Sequence, residues 1–158
     1  AGAVLIRSAE PLLGLEAMWN ARFPHKPVPE KLSQLPEAAS VKEVGSPRDA
    51  SSEGKALGRL RRHVGALASG PGKLCQAMEI RTGSHNGAPL FDGALQIARR
   101  CHGPVDLQAL EKLELVEDGR IGIRRATDKA WRFSVAESHF VSRKPAADAR
   151  HRHYVPQR

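Results

Sequence analysis

The stretch SGPGKLCQAM, residues 69–78, places small residues and a proline directly ahead of a lysine and an apolar run. Gly70, Pro71 and Gly72 predict a helix start, because proline is favoured in the first helical turn. The outward-pointing N–H groups of such a start attract phosphate, and Lys73 would add a full positive charge. The functional hypothesis is therefore a phosphate contact. The alternative is an ordinary helix start, since the stretch lacks the GK[ST] of a Walker A loop.

A second group of candidate residues is basic and surrounds the stretch WRFSV, residues 131–135. Its members are Arg124, Arg125, Lys129 and Arg132, followed later in the chain by Arg143, Lys144, Arg150 and Arg152. A basic face with an aromatic residue in it would bind the backbone of a nucleic acid and stack on its bases. A charged face that meets only solvent is the alternative.

Arg7 is a third candidate, because it follows the apolar run AVLI and so would lie at the margin of a buried strand. A guanidinium in that place needs a carboxylate, a phosphate or a ligand. A local ion pair with Glu10 is the simpler interpretation.

The overall composition favours a partner that carries phosphate. The chain has 158 residues, a net charge of +8 and only 4% aromatic residues. Such a balance indicates nucleic acid more readily than an acidic membrane surface. Two cysteines, Cys75 and Cys101, are too few for a disulfide framework and too far apart for a CxxC metal site, which favours an intracellular protein with reduced thiols. No metal or cofactor is predicted, and no stretch approaches the ~20 apolar residues of a membrane span.

The elements that must position these residues divide the chain into four parts. Residues 1–23 are predicted to form a buried strand (Ala3–Ile6) and an amphipathic helix within Gly14–Phe23. Residues 24–66 are rich in Pro, Ser, Glu, Lys and Ala and are interpreted as a low-complexity insertion that buries little surface. Residues 67–143 return to order, and residues 144–158 are predicted to be a loose basic tail.

Within the ordered part, a helix is predicted from Lys73 to about Ile80, a turn-rich loop over 81–87, a short strand over 95–98 and a helix over 104–112. Residues 113–117 and 120–123 flank Asp118-Gly119, which predicts a hairpin, and residues 131–135 predict a further strand. Together these short elements predict a mixed α+β fold with an antiparallel sheet.

Three of these stretches resemble the alkyladenine (3-methyladenine) DNA glycosylases. The stretches are AVLIRSAEPLLGLEAM, GPGKLCQAM and RIGIRRATDKAWRFSVAESHFVSR, in the family's order and with its rough spacing. They cover about the first 20 residues and most of 69–143, and they match the C-terminal half of the family fold. The resemblance implies a protein that bends DNA, flips a damaged purine from the stack and hydrolyses its glycosidic bond.

By the same resemblance, Arg7 and the backbone carbonyl of Ile121 would hold the catalytic water, while Gly70, Gly72 and Lys73 would contact the DNA backbone. Arg124, Arg125 and Lys129 would belong to the basic DNA-facing surface. In the family, the segment that Ala1 matches comes after three features: the catalytic glutamate, the intercalating tyrosine and the aromatic residues of the base pocket. The chain departs from the family in its long 24–66 segment and at ESHF, residues 137–140.

Two functions follow from this combination. The first is the nucleic-acid-binding half of a glycosylase, inactive alone because it lacks the catalytic half, which a protein partner would supply. The alternative is a repurposed structural subunit of a large nucleoprotein assembly, such as a mitochondrial ribosome, that binds rRNA. DNA is the expected nucleic acid in the first case.

Overall fold

The computed structural model of the protein describes residues 3–11, 13–33, 62–97, 114–136 and 138–153. The helices are α1 (Leu15–Arg22), α2 (Glu30–Ser33), α3 (described over 62–68), α4 (Pro71–Ala77) and α5 (Thr82–His85). The strands are β1 (Glu114–Asp118), β2 (Arg132–Val135) and β3 (Arg150–His153). Short helices and a small antiparallel sheet make the fold mixed α+β, as the sequence predicted.

Helix α1 has the termini that its sequence favours. Gly14 precedes it with a φ of 70°, a left-handed conformation that glycine adopts without steric cost, and its carbonyl accepts the first helical hydrogen bond from Met18. Glu16 lies in the first turn and Arg22 in the last, where each charge opposes the helix dipole. The prediction of a helix within Gly14–Phe23 is confirmed.

The hydrophobic core lies among the helices and a C-terminal loop. Its buried members are Trp19, Leu32, Val64, Leu67 and Phe140, with Leu15, Met18, Phe23 and Val28 packed against them. Helix α1 contacts both α2 and α4. The core therefore joins parts of the chain that are far apart in sequence.

Two of these core residues come from the segment that was interpreted as a low-complexity insertion. Leu32 is 2% exposed and Val64 is fully buried. The expectation that this segment buries little surface is wrong at its two ends, because isolated apolar side chains between charged residues suffice to anchor them. Residues 34–61 lie outside the described residues, and the division of the chain into four parts stays a prediction.

The sheet has the strand order β2-β1-β3, and both pairs are antiparallel. The predicted hairpin at Asp118-Gly119 is wrong. Strand β1 pairs with β2, with Asp118 opposite Arg132, and residues 120–123 are loop. The Asp118 side chain accepts a hydrogen bond from the Gly119 N–H at 2.6 Å and pairs with Arg132, so the aspartate closes a long loop rather than a two-residue turn.

The C-terminal basic tail is also more ordered than predicted. Arg150–His153 is the strand β3, which pairs along β1 and places His151 opposite Val116. The Nδ1 atom of His151 lies 2.5 Å from Glu114 Oε1. A basic composition therefore did not prevent strand pairing, because β1 offers an acidic residue and a free edge.

The predicted strand at Ala3–Ile6 is wrong for the described residues. Residues 3–10 have no regular secondary structure, and Val4, Leu5 and Ile6 are 93%, 65% and 49% exposed. A β-branched apolar run needs a neighbouring strand to become part of a sheet, and the described sheet ends at β2 and β3.

Three smaller predictions have mixed outcomes. The helix that starts at Gly70-Pro71 is confirmed, although α4 ends at Ala77 rather than near Ile80. The loop over 81–87 contains α5, and residues 95–97 form no strand. The predicted helix over 104–112 lies outside the described residues. In the described ranges, no helix has the length and hydropathy that crossing a membrane requires.

Candidate nucleic-acid interface

The start of α4 carries three of the predicted phosphate-binding residues. Gly70 is buried and extended (φ 162°), and a Cβ there would meet only Ser142 Cβ, at 3.8 Å. Gly72 is exposed, and a Cβ there would have no neighbour within 4 Å. Lys73 is exposed, and its Nζ donates a hydrogen bond to the buried Ser69 Oγ at 3.2 Å. Packing within the described chain therefore does not require glycine at either position.

The three stretches that carry the family resemblance meet around this helix start. The Ala9 N–H donates to the Ala68 carbonyl at 3.3 Å, which fixes the N-terminal segment beside the end of α3. On the other side, a Cβ built on Gly65 would lie only 3.3 Å from the His139 carbonyl oxygen. The glycine thus allows α3 to approach the loop that carries Phe140. Stretches separated by some 60 residues in sequence form one local arrangement.

Arg7 lies in the extended segment that Ala9 anchors. Its side chain is half-buried, and its Nε atom is buried without a hydrogen-bond partner among the described residues. Such an unpaired donor is uncommon in a folded protein and calls for a partner. Glu10 has an interaction of its own, and the alternative of a local ion pair between Arg7 and Glu10 stays a prediction. The predicted role of Arg7 beside a catalytic water stays a prediction.

Residues 119–131, which we call the basic loop, connect β1 to β2. The Arg120 side chain spans the loop by hydrogen bonds. Its Nη2 donates to the Arg125 carbonyl at 2.7 Å and to the Ala126 carbonyl at 3.4 Å. The same guanidinium lies 5.0 Å from the centroid of the Trp131 ring, a cation–π contact. One side chain thus ties the middle of the loop to its end.

Four of the predicted site residues lie on this loop. Arg124 and Arg125 are exposed and form no ion pair within the described part of the chain, whereas Lys129 lies 3.2 Å from Asp128 Oδ2. Ile121 is half-buried near the start of the loop. The structure therefore brings Ile121, Arg124, Arg125 and Lys129 onto one loop. Among the described residues, no hydrogen bond or ion pair joins this loop to Arg7 or to the start of α4.

Arg132 does not belong to the basic surface on which the sequence placed it. Its side chain is only 7% exposed, its Nη1 lies 3.0 Å from Asp118 Oδ2, and its Nη2 donates to the Arg143 carbonyl. Burial alone would raise the pKa of Asp118, but N–H donors from Ala146 and Gly119 and the charge of Arg132 outweigh it and lower that pKa. The pair is structural, and it joins β1, β2 and the loop at 143–146.

The sequence contains a signal for the burial of Arg132. In WRFSV the arginine alternates with two aromatics, so one of the two faces of the strand had to carry Arg132. The aromatics are the exposed ones: Trp131 is 60% and Phe133 63% exposed. Arg132 therefore occupies the buried face, because an ion pair with Asp118 compensates the burial of the arginine.

No group of three potential metal ligands is found in the described ranges. Of the two cysteines, Cys75 is described, half-buried and free.

Comparison with known proteins agrees with the resemblance. A family model described as "Methylpurine-DNA glycosylase (MPG)" matches residues 1–139. Three curated relatives carry the name "Putative 3-methyladenine DNA glycosylase". The one from Methanoculleus marisnigri is 31% identical over 90% of this chain and 52% of its own length. The one from Chlorobium phaeobacteroides is 34% identical over 94% of this chain and 52% of its own length. The one from Granulibacter bethesdensis is 36% identical over 89% of this chain and 46% of its own length.

The chain thus spans about half the length of the curated relatives it matches, with 52%, 46% and 52% of the three covered. No solved structure matches. These comparisons give no support to a ribosomal subunit. Since the family model covers most of the chain, the 158 residues belong to the methylpurine-DNA glycosylase family.

Proposed function

We propose that these 158 residues are the DNA-binding part of a 3-methyladenine DNA glycosylase, and that base release requires residues they do not contain. Family membership and the names of the relatives support the repair function. The coverage of about half of those relatives, 52% in one case, supports a division of labour within the fold. The resemblance assigns the catalytic glutamate and the base-binding aromatics to the other half.

The observation that carries the proposed DNA contact is the basic loop closed by Arg120. The contacts of the Arg120 side chain with Arg125, Ala126 and Trp131 already restrain the loop. The loop therefore loses less conformational entropy on binding DNA than an unrestrained loop would. It presents Arg124 and Arg125 to solvent without acidic partners in the described chain. Two unneutralised guanidinium groups on one loop suit phosphate oxygens, which arginine can contact through two parallel hydrogen bonds.

Lys73 and the glycines at the start of α4 are proposed as a second backbone contact. The exposed ammonium group is held by Ser69 at 3.2 Å, and the open surface at Gly72 leaves room for close approach. Arg7 and Ile121 are proposed to hold the water once the other half is present. The Nε of Arg7, which is buried and has no hydrogen-bond partner among the described residues, supports this role.

The test of DNA binding is a salt titration of duplex affinity, measured by fluorescence anisotropy. Replacing both Arg124 and Arg125 by glutamine should lower the slope of log K against log salt concentration by about 2, because each lost phosphate contact removes roughly 0.9. The matched control is Arg62→Gln with Arg81→Gln, two exposed arginines on other elements that change the net charge equally. If the two double variants lower the slope equally, the effect comes from net charge alone, and Arg124 and Arg125 do not form a specific contact with DNA.

The test of catalysis uses the same purified chain and DNA that contains hypoxanthine or 3-methyladenine. No free base should be released, since the resemblance assigns the general base and the base-binding aromatics to the other half. Release of either base by the 158-residue chain would refute the division of labour while leaving the DNA contact intact.

A further inference from the structure

The sheet has two unlike faces, one of which is buried while the other carries exposed aromatic side chains. On one face, Val116 is 1% exposed and Arg132 is paired with Asp118. The register places Leu115 opposite Val135 and Glu117 opposite Phe133 on the other face. We call Leu115, Phe133 and Val135, with Trp131 directly ahead of β2, the aromatic face.

The aromatic residues of this face are open, and charged residues border them, since Glu117 lies opposite both Phe133 and Arg150. Phe133 is 63% and Trp131 60% exposed, while Leu115 and Val135 are half-buried. Isolated exposed apolar residues are ordinary, but adjacent aromatics on one sheet face mark a surface that another part of a protein covers. A small sheet with one covered face is also only marginally stable, and packing of the second face would add to its stability.

We propose that the aromatic face is the docking surface for the part of the glycosylase fold that these 158 residues do not contain. This inference rests on the proposed function. The chain spans 52% of the relative from Methanoculleus marisnigri, so a segment of comparable size is available in the family to cover it. The occupant is an apolar protein surface that fills the space beside Phe133 and Trp131.

Two other occupants fit the observations less well. Nucleic acid would meet aliphatic as well as aromatic side chains, because Leu115 and Val135 lie opposite each other on this face. Of the arginines for which the described residues show no ion pair, Arg124 and Arg125 lie together on the basic loop, whereas Arg150 lies on β3. Arg150 is exposed and lies opposite Glu117, on the same side of the sheet as the aromatic face. In a dimer formed through this face, the Arg150 side chains of the two copies would approach and repel each other.

The test compares the 158-residue chain with a single polypeptide that fuses it to the region of the Methanoculleus relative outside the match. Hydroxyl-radical footprinting with mass spectrometry reports the oxidation rate of each aromatic side chain. Trp131 and Phe133 should be oxidised several-fold more slowly in the fusion, while the buried Trp19 should be slow in both. Phe133→Glu should lower the Tm of the fusion and leave that of the isolated chain almost unchanged, and Phe91→Glu serves as the matched control, since Phe91 is 86% exposed and lies outside the sheet.

Every other outcome overturns the proposal. These outcomes are equal oxidation in both proteins, a fusion that does not accumulate as a soluble monomer, or protection of the isolated chain by DNA. A dimeric isolated chain in light scattering, with protection that Phe133→Glu abolishes, would assign the face to a second copy. DNA binding through Arg124 and Arg125 is scored separately by the salt slope, so that either proposal can fail alone.

Discussion

The helical core and the sheet are stabilised in different ways, although they belong to one short chain. The core buries Trp19, Leu67 and Phe140 against apolar neighbours from four parts of the sequence. In the described sheet, Val116 is the one buried apolar side chain, and the pair Asp118–Arg132 accounts for much of the remaining order. The core is packed from its own apolar residues, whereas the buried face of the sheet combines Val116 with an ion pair and the other face exposes two aromatics. Apolar packing thus stabilises the helical region, and an ion pair stabilises the sheet.

The largest effect is expected from a core substitution. Leu32→Ala should lower the free energy of unfolding by about 3 kcal/mol, because truncation of a buried leucine leaves a cavity. Leu32 is 2% exposed, and the exposed Leu13, at 64%, provides the same substitution as a control with an expected cost below about 0.5 kcal/mol. Urea unfolding of the 158-residue chain measures both. Equal costs would mean that α2 does not belong to the core.

A smaller effect is expected in the sheet. Asp118→Asn should cost about 2 kcal/mol, because a hydrogen bond between charged groups is lost and Arg132 stays buried without its counter-charge. Asp128→Asn is the matched control, since Asp128 pairs with Lys129 and its side chain is 70% exposed. If the two variants unfold alike, the sheet does not depend on its buried pair.

The same pair makes the sheet sensitive to acid. The pKa of Asp118 is lowered below 3.8 in the folded protein, so its contribution is fully present above about pH 4 and is lost as pH falls through the lower folded value. The difference in stability between the chain and Asp118→Asn should therefore stay constant from neutral pH to about pH 4 and shrink below it. Unfolding curves over this range measure the difference. A difference that persists at the lowest pH would exclude the charge as its source.

The smallest effect has the opposite sign and concerns the helical region. Gly72→Ala should raise the free energy of unfolding by about 0.5–1 kcal/mol, because glycine is unfavourable within a helix and a Cβ at Gly72 meets nothing within 4 Å. Gly83→Ala in α5 is the matched control, with the same open surroundings. Both should stabilise the chain, and only Gly72→Ala should weaken DNA binding in the anisotropy assay. Unchanged binding would remove the start of α4 from the proposed interface.

The sequence predicted the helices better than the sheet for a physical reason. Helix α1 and the start of α4 depend on local features, namely the glycine ahead of each helix and the proline at Pro71, and both are confirmed. Strand pairing depends on residues that are distant in sequence. Asp118-Gly119 has the local features of a tight turn, yet Arg132, fourteen residues later, determines where β1 finds its partner.

The candidate site was predictable in part. Residue types alone indicated that Arg124 and Arg125 lie on an exposed basic surface. They could not reveal that Arg120 closes the loop, because that depends on carbonyl groups turned inward at Arg125 and Ala126. Ala126 adopts a φ of 50°, a left-handed conformation that is uncommon for alanine and that the sequence pattern does not predict.

The burial of Leu32 and Val64 in one cluster has a consequence for the chain between them. The two side chains lie 32 residues apart in sequence, so formation of this core costs the entropy of closing the chain between them. That entropy grows only with the logarithm of length, by about 0.6 kcal/mol for each doubling. The entropic cost of bringing Leu32 to Val64 therefore depends only weakly on their separation in sequence.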